Sequence, residues 1–285
     1  MSFVVRRLYS TKTMQSLQSQ FNINASGALP LILIDFDQTI TLQDTIGPLG
    51  KFGVSYTQNP KPWSYFVDSY LEEYREHRNH LPDLPKGDFN AFVNQLDSYK
   101  PIERASQVRV SKHKIFEGMT RQTLTNQAIM LRAEYLQPGV IDVLKEYKDQ
   151  IRIISLNWSK DWILGFLKEI ELSRHHIFSN DLEFDESGKC TGNIVPEILT
   201  TGDKQTVINT FRQQTKTIYI GDSLGDIEAL IEADLGIIIG KDKSLLDSLA
   251  DFGHKTEQDI KKASSLYRVD NWDQIKDILY EHRNI

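Results

Sequence analysis

The chain has 285 residues, of which 40% are hydrophobic and 25% are charged, and its formal net charge is −6. This composition is that of a globular protein with enough chain to bury a core, in one large domain or one domain with a sizeable insertion. The negative charge argues against a nucleic-acid-binding protein, and the single cysteine, Cys190, excludes an intramolecular disulfide and a cysteine-rich metal site and indicates a reducing, intracellular location.

The N-terminal segment contains no acidic residue before Asp35, although Arg6, Arg7 and Lys12 lie within it among several serines and threonines. An acid-free, basic and serine-containing start is typical of a mitochondrial transit peptide. A flexible polar segment over residues 1–27 is the alternative, so a mitochondrial and a cytoplasmic location both stay open. No apolar run reaches the roughly 18 residues that a membrane-spanning helix needs, so no membrane partner is expected.

Four short apolar runs have the pattern of strands that are buried on both faces. They are residues 28–34, 151–154, 217–220 and 235–239. Helical patterns separate them, for example over residues 140–147 and 161–170. Strands that alternate with helices predict an α/β fold with a doubly wound parallel sheet. Ligands of such sheets bind beyond the carboxyl ends of the strands, where the unusual polar residues of this chain begin.

Residues 45–135 interrupt this alternation with a polar and aromatic stretch that is broken by several prolines. It is predicted to form helices that lie as a cap over the carboxyl ends of the strands. The catalytic core would then comprise residues 28–44 and 136–285. Within the core, residues 182–194 have the pattern of a hairpin around Glu186-Ser187-Gly188, and residues 271–282 that of a closing amphipathic helix.

The first polar motif is Asp35-Phe36-Asp37-Gln38-Thr39, directly after the first predicted strand. Side chains two positions apart on an extended chain point the same way, so both carboxylates can face one phosphate group. Such a pair offers an anionic nucleophile beside a cation and a second carboxyl that can transfer a proton. A turn or helix cap with two aspartates is the alternative interpretation of this motif alone.

The second acidic motif, Gly221-Asp222-Ser223-Leu224-Gly225-Asp226, follows the third strand. Asp222 is predicted on the loop and Asp226 near the start of the next helix. Carboxylate oxygens without histidine or thiol nearby favour Mg²⁺ over zinc. The candidate metal ligands are the carboxylates of Asp35 and Asp222 and the backbone carbonyl oxygen of Asp37, with Asp226 close by or bound through water. A strand-to-helix turn with an aspartate cap is the alternative.

Two further positions could bind phosphate. Ser155 follows the second strand, where its hydroxyl and the backbone of Leu156 could hold a phosphate oxygen, although a lone serine is more often only a cap. Lys204 could neutralise phosphate charge and orient the nucleophile, although a single lysine in a loop is ordinarily a solvated charge.

The ordered set of an Asp-x-Asp-x-Thr motif, a serine, a lysine and a Gly-Asp-x-x-x-Asp motif resembles the haloacid dehalogenase superfamily over roughly residues 31–240. The resemblance implies Asp35 as nucleophile, Asp37 as general acid and base, and Thr39 as the residue that steadies the first loop. It further implies that Ser155 and Lys204 bind phosphate and that Asp222 and Asp226 form the acidic metal motif.

The long insertion and the hairpin segment look like the phosphoserine-phosphatase-like branch of that superfamily. Residues 155–159, SLNWS, depart from it, because glycines usually follow the serine there, and this makes phosphoserine a doubtful substrate. Residues 155–163 and 221–240 look more like the phosphatase domain of plant thiamin-salvage enzymes, which implies thiamin monophosphate as the substrate. A flat heterocycle could stack on some of the aromatic residues near the predicted pocket, which are Phe52, Tyr56, Trp63, Tyr65, Trp158 and Trp162. Trp158 and Trp162, four apart on a predicted helix, are more often core residues.

The sequence therefore predicts a Mg²⁺-dependent phosphatase that acts on a small phosphate ester through an aspartyl-phosphate. A dehalogenase is one rival, but it needs neither the proton donor at Asp37 nor the metal. A phosphomutase would need a second phosphate site, which the sequence does not reveal. A phosphoaspartate switch such as a receiver domain is about half as long and has no helical insertion. A catalytically silent phosphate-binding relative is a further alternative, and the oligomeric state stays open.

Overall fold

The computed structural model of the protein describes residues 29–85 and 87–283, so the predictions for residues 1–27 lie outside the described residues. The strands are β1 Leu31–Ile34, β2 Ile151–Ser155, β3 Ile177–Ser179, β4 Asp181–Phe184, β5 Cys190–Val195, β6 Thr217–Gly221, β7 Leu235–Ile239 and β8 Leu266–Val269. The helices are α1 Ile46–Tyr56, α2 Trp63–Asn79, α3 Phe89–Asp97, α4 Lys100–Lys112, α5 Arg121–Tyr135, α6 Val140–Glu146, α7 Lys160–Phe166, α8 Thr201–Arg212, α9 Ile227–Glu232, α10 Lys243–Asp251 and α11 Trp272–Glu281.

Six strands form one parallel sheet in the order β3-β2-β1-β6-β7-β8. The four strands predicted from apolar runs, the hairpin β4–β5 and the closing helix α11 are confirmed. The two outer strands, β3 and β8, were missed. β3 has only three residues, and β8 contains Arg268, whose guanidinium donates from Nε to the carbonyl oxygen of Gly240 at 2.9 Å. Neither segment therefore shows the apolar run of a central strand.

The side chains of each central strand alternate between two hydrophobic cores, one on each face of the sheet. In β1, Ile32 and Ile34 enter the core built with α6, α7 and α11, whereas Leu31 and Leu33 enter the core built with α8, α9 and α10. Helices on both faces make the sheet doubly wound, as predicted. The chain runs outward from β1 in one direction and from β6 in the other, so the crevice for a ligand lies beyond the carboxyl ends of these two strands.

The segment between β1 and β2 is helical, and it contacts the core at the start of α8. The carboxylate of Asp97, the last residue of α3, accepts hydrogen bonds from the hydroxyl of Thr200 at 2.6 Å and from the backbone N–H of Gly202 at 3.1 Å. Lys100 at the start of α4 forms an ion pair with Asp203. The hairpin packs on α4, where the backbone N–H of Ile194 donates to the hydroxyl of Ser111 at 2.9 Å.

The helix α5 lies within the predicted cap segment but packs closely on α7 of the core. A β-carbon at Gly165 would lie 2.6 Å from that of Ala128, so the glycine permits this close approach. The domain boundaries at residues 45 and 135 stay a prediction. Among the described residues, no helix is long and apolar enough to cross a membrane.

The central strand β1 supplies a test of the fold. We expect Leu33→Ala to destabilise the protein by about 2–5 kcal/mol, because Leu33 is fully buried and its loss leaves a cavity under α8–α10. The matched control is Leu71→Ala in α2, where the side chain is 39% exposed and the expected loss is less than about 1 kcal/mol. Denaturant unfolding measures both. Equal losses would contradict the assignment of Leu33 to the core.

Candidate active site

The carboxylate of Asp35 lies at the carboxyl end of β1 and pairs with a buried lysine. The backbone N–H of Asp35 donates to the carbonyl oxygen of Ile220 at 2.9 Å, which extends the β1–β6 pairing by one residue. Lys204 Nζ donates to Asp35 Oδ1 at 2.7 Å and to Asp226 Oδ1 at 2.7 Å. The sheet therefore positions Asp35, the candidate nucleophile, and α8 positions Lys204, the cationic side chain that contacts it.

The structure overturns the interpretation of Lys204 as a solvated loop residue. It lies in the first turn of α8 and is only 2% exposed. Burial by itself lowers the pKa of a lysine, but the carboxylates of Asp226 and Asp35 more than offset this and raise the pKa of Lys204 above its ordinary value. The side chain is therefore a permanent positive charge at neutral pH, in contact with the candidate nucleophile.

The carboxylate of Asp226 is fully buried at the start of α9, and both of its oxygens accept hydrogen bonds. Besides Lys204, the hydroxyl of Tyr219 donates to Oδ1 at 2.7 Å, and the backbone N–H groups of Asp222 and Ser223 donate to Oδ2 at 3.2 Å each. Gly221 is required for this turn, because a β-carbon there would lie 2.5 Å from the Asp226 carboxyl carbon. Asp226 therefore shapes the loop that carries Asp222.

The carboxylate of Asp222 is oriented from the first loop. Thr39 Oγ1 donates to Asp222 Oδ1 at 3.1 Å, and the Thr39 carbonyl oxygen accepts from the indole Nε1 of Trp272 at 3.0 Å. Gln38 has a φ of 63°, the left-handed conformation, which turns the chain sharply between Asp37 and Thr39. The first and last predicted motifs thus meet directly across the crevice between β1 and β6.

The carboxylate of Asp37 points away from this cluster and is held by the second loop and the helical segment. Its Oδ1 accepts from the backbone N–H of Thr45 at 2.7 Å and from the Thr45 hydroxyl at 2.6 Å, and its Oδ2 accepts from Asn157 Nδ2 at 3.0 Å. Burial, together with the charge of Asp44, raises the pKa of Asp37 to about 6, against the opposing hydrogen bonds. A carboxyl group with this pKa can both give and take a proton near neutral pH.

Sequence reasoning missed the side chains that position Asp37. Asn157 Nδ2 also donates to Thr45 Oγ1 at 3.0 Å, and Trp162 Nε1 donates to the same oxygen at 3.1 Å. All three residues are buried. Asn157 is a polar residue in the loop after β2, but the sequence gives no sign of its partner Thr45, which is 112 positions away.

Ser155 and Leu156 lie at the carboxyl end of β2, beside the loop that carries Asp37. Ser155 is 1% exposed, and its hydroxyl accepts from the backbone N–H of Asn157 at 3.0 Å. This hydroxyl therefore shapes the turn, and helix α7 is capped instead by Ser159, whose Oγ accepts from Trp162 N at 3.2 Å. The binding of phosphate by Ser155 and Leu156 stays a prediction.

Three carboxylates form a group with the chemistry of a Mg²⁺ site. Oxygen atoms of Asp35, Asp222 and Asp226 all lie within 4.8 Å of one another, whereas the carboxylate of Asp37 is outside this set. Within the described part of the chain, Lys204 is the only cationic side chain paired with them, so two negative charges stay uncompensated when all three are ionised. Burial and the neighbouring carboxylates raise the pKa of Asp35 well above its ordinary value and that of Asp222 to about 7. Oxygen donors with excess negative charge fit a hard divalent cation.

A cavity of about 340 Å³ opens between the helical segment and the loop after β2. Trp63 from α2 and Trp158 from the loop line it, with their ring centroids 6.1 Å apart. Trp162 lies in α7 and is fully buried in the core, as expected for a core residue, but Trp158 precedes the helix and does not share a helical face with it. The cavity adjoins the residues that hold Asp37.

Comparison with curated proteins identifies fungal and plant relatives. A CTO1 family protein of Schizosaccharomyces pombe is 28% identical over 244 residues, which are 78% of this chain and 86% of that protein. Cold tolerance protein 1 of Saccharomyces cerevisiae is 26% identical over 88% of this chain and 98% of its own length. The bifunctional TH2 protein, mitochondrial, of Arabidopsis thaliana is 22% identical over 86% of this chain, but only 48% of that longer protein is matched. No family model matches the chain.

Solved structures share the architecture at low sequence identity. Cytosolic 5′-nucleotidase IIIB bound to cytidine has a TM-score of 0.52 and 14% identity over 88% of this chain and 85% of that one. A phosphoserine phosphohydrolase-like protein from Francisella tularensis has a TM-score of 0.50 and 14% identity over 88% and 99%. At this identity the similarity concerns the fold. Together with the six-stranded parallel sheet, it confirms the predicted α/β fold with a doubly wound parallel sheet.

The raised pKa values predict how pH affects cation binding. Without a cation Asp222 has a pKa of about 7, so it is mostly protonated at pH 6 and ionised at pH 8. Because a cation binds the ionised form, we expect Mg²⁺ to raise the melting temperature more at pH 8 than at pH 6, by about 2–4 °C for each kcal/mol of binding free energy.

The control variants for this measurement are two Asp→Asn changes. Asp222→Asn should abolish the Mg²⁺-induced shift, whereas Asp251→Asn, at the exposed end of α10, should retain it. A shift of equal size at both pH values in the unmodified protein would argue against binding at this cluster.

Proposed function

We propose that this protein is a Mg²⁺-dependent phosphomonoester hydrolase that forms an aspartyl-phosphate on Asp35. The observation that carries the proposal is the contact of Lys204 with Asp35 at 2.7 Å, beside the carboxylates of Asp222 and Asp226. A buried carboxylate is a nucleophile for phosphate only where positive charge offsets the repulsion between two anions. This arrangement lies at the crevice where ligands of doubly wound sheets bind.

In the first step, an oxygen of Asp35 attacks phosphorus and the bond from phosphorus to the leaving oxygen breaks. Lys204 holds the Asp35 carboxylate in place and offsets part of the phosphate charge. Asp37, in its protonated form, donates its proton to the leaving oxygen, so the leaving group departs as an alcohol and not as an alkoxide. The pKa of about 6 makes that proton available near neutral pH. Asp35, Asp222 and Asp226, together with the backbone carbonyl oxygen of Asp37, would hold Mg²⁺, which would supply further positive charge for the phosphate oxygens.

In the second step, the Asp37 carboxylate takes a proton from water while the water oxygen attacks phosphorus. The bond between Asp35 and phosphorus breaks, which releases inorganic phosphate and restores both aspartates. Thr45 and Asn157 hold Asp37 in one orientation through both steps. Ser155 and Leu156, at the end of the neighbouring strand, would bind a phosphate oxygen through the backbone of the turn.

A small phosphorylated metabolite is the proposed substrate class, and thiamin monophosphate is the proposed substrate. The sequence resemblance to the phosphatase domain of plant thiamin-salvage enzymes supports this choice. The match to about half of a bifunctional Arabidopsis protein is what one domain of a fused enzyme would give. The aromatic cavity beside Asp37 is suited to a flat heterocyclic leaving group.

Two alternatives make different demands on the same residues. A dehalogenase needs no proton donor for its leaving group, whereas Asp37 is held by three hydrogen bonds and has a raised pKa. A silent phosphate-binding relative would bind phosphate esters without turnover. Phosphate release separates both from the proposed enzyme.

We also propose that the protein acts in mitochondria, with the cytoplasm as the alternative. The absence of acidic residues before Asp35 supports import, and the Arabidopsis relative carries the word mitochondrial in its name. Fractionation of cells that express the full-length chain tests the location.

The class of enzyme is tested by phosphate release from a panel of phosphomonoesters with and without Mg²⁺. The panel contains thiamin monophosphate, phosphoserine, pyridoxal phosphate and nucleoside monophosphates. We expect Mg²⁺-dependent turnover that Asp35→Asn abolishes without loss of the fold, because the amide is not a nucleophile. Asp251→Asn is the matched control and should retain full activity. A fully active Asp35→Asn protein would contradict the proposal that Asp35 is the nucleophile.

The role of Asp37 predicts a difference between leaving groups. We expect Asp37→Asn to lower turnover of an alkyl phosphate by about 10²-fold or more, because alkoxide departure needs the proton. With para-nitrophenyl phosphate, whose leaving group needs no proton, the first step should persist while hydrolysis of the aspartyl-phosphate slows. Stopped-flow absorbance should then show a burst of nitrophenolate close to one equivalent per enzyme. Equal losses on both esters without a burst would contradict this role.

A further inference from the structure

The aromatic cavity is placed to receive the group that leaves the phosphate. Its wall includes Leu156 and Trp158, which flank Asn157, and Asp44 and Ile46, which flank Thr45. Asn157 and Thr45 are the residues that hold the carboxylate of Asp37. Asp37, the proposed proton donor, is thus held by two residues whose neighbours in the chain line the cavity.

The charged residues that line this cavity are both acidic. They are Asp44 and Glu103, and no lysine or arginine among the described residues lines it. The other side chains include the rings of Trp63, Phe66 and Tyr70. Aromatic faces together with carboxylates attract a cation, because the ring quadrupole and the carboxylate both present negative potential.

Glu103 is the charged group that reaches this cavity from α4. The hydroxyl of Tyr70, from α2, donates to Glu103 Oε1 at 2.6 Å. Glu103 lies next to the rings of the cavity wall and contributes one of its two carboxylates. Burial raises the pKa of Glu103, against the hydrogen bond from Tyr70, which indicates a carboxylate without a compensating cation. Burial and the charge of Glu103 raise the pKa of Tyr70, so its hydroxyl stays a donor.

Trp63 lies in the wall of the cavity because α1 and α2 approach each other closely. A β-carbon at Gly50 in α1 would lie 2.2 Å from the indole of Trp63, so only glycine leaves room for the ring. The indole is also stacked on Phe66 with centroids 5.8 Å apart. Its orientation is therefore fixed by packing, with its plane at 68° to that of Trp158.

We propose that this cavity selects phosphate esters whose leaving group is a flat, positively charged heterocycle, and that Glu103 is the residue that recognises the charge. The inference rests on the proposed phosphatase activity and extends it to a substrate class. The phosphate end faces Lys204 and the proposed Mg²⁺, and the cationic end faces Glu103 between aromatic rings. A substrate with opposite charges at its two ends thus has one preferred orientation.

The test compares two esters of the same shape, N-methylpyridinium-methyl phosphate and its neutral isostere methylbenzyl phosphate. We expect the unmodified enzyme to have the higher kcat/KM for the cationic ester. Glu103→Gln keeps the acceptor for Tyr70 but removes the charge, and it should lower the ratio of the two kcat/KM values by roughly tenfold, mainly through KM. Glu72→Gln, an exposed residue of α2 with the same change of charge, should leave the ratio unchanged.

A binding measurement without turnover keeps the inference separate from the phosphatase proposal. In a calorimetric titration, the free alcohol N-methylpyridinium-methanol should bind more tightly than methylbenzyl alcohol, and Glu103→Gln should weaken its binding. If the unmodified enzyme turns over neither ester, the result counts against the phosphatase proposal. The binding of the two alcohols still decides whether the cavity selects a cation. Equal turnover of both esters, or an unchanged ratio and unchanged binding in Glu103→Gln, would overturn the selection of a cation.

Discussion

The paired contacts of Lys204 with Asp35 and Asp226 are the interaction on which the rest of the site depends. All three side chains are buried, so each carboxylate would be costly to ionise without the lysine. Removal of one partner from such a group typically costs about 3–5 kcal/mol, because it leaves a charge buried and unpaired. The same contacts join the end of β1 and the start of α9 to α8, and they hold the candidate nucleophile within the fold.

The carboxylates of Asp35, Asp222 and Asp226 carry more negative charge than Lys204 balances, and this excess suits the site to a cation. One lysine cannot balance three ionised carboxylates. Burial first, and then the neighbouring carboxylates, raise the pKa of Asp35 and that of Asp222. The protein without a cation therefore binds protons at these positions, and a divalent cation would displace them. Raised pKa values of this kind occur often at functional sites.

The helical segment is coupled to this chemistry at two points. Thr45, at its start, binds the carboxylate of Asp37, and Asp97 accepts hydrogen bonds at the start of α8, close to Lys204. Asp97 and the ion pair of Lys100 with Asp203 fix the helices that form the cavity relative to the helix that carries the lysine. The helical segment therefore contacts both Asp37 and the start of the helix that carries Lys204.

The sequence by itself determined the four central strands, the doubly wound sheet and the clustering of Asp35, Asp222 and Asp226, because apolar runs mark buried strands and the residues after parallel strands meet at one edge. The sequence also indicated Asp37 as a candidate catalytic residue, but it did not show which side chains bind the Asp37 carboxylate. Only the tertiary structure decided that Lys204 is buried, that Asn157 and Thr45 bind Asp37, and that Glu103 faces an aromatic cavity. These contacts join residues that lie far apart in the chain, and pairings of this kind leave no local pattern. The outer strands β3 and β8 were missed for a related reason, since short segments at the edge of a sheet are shaped by their neighbours more than by their own residues.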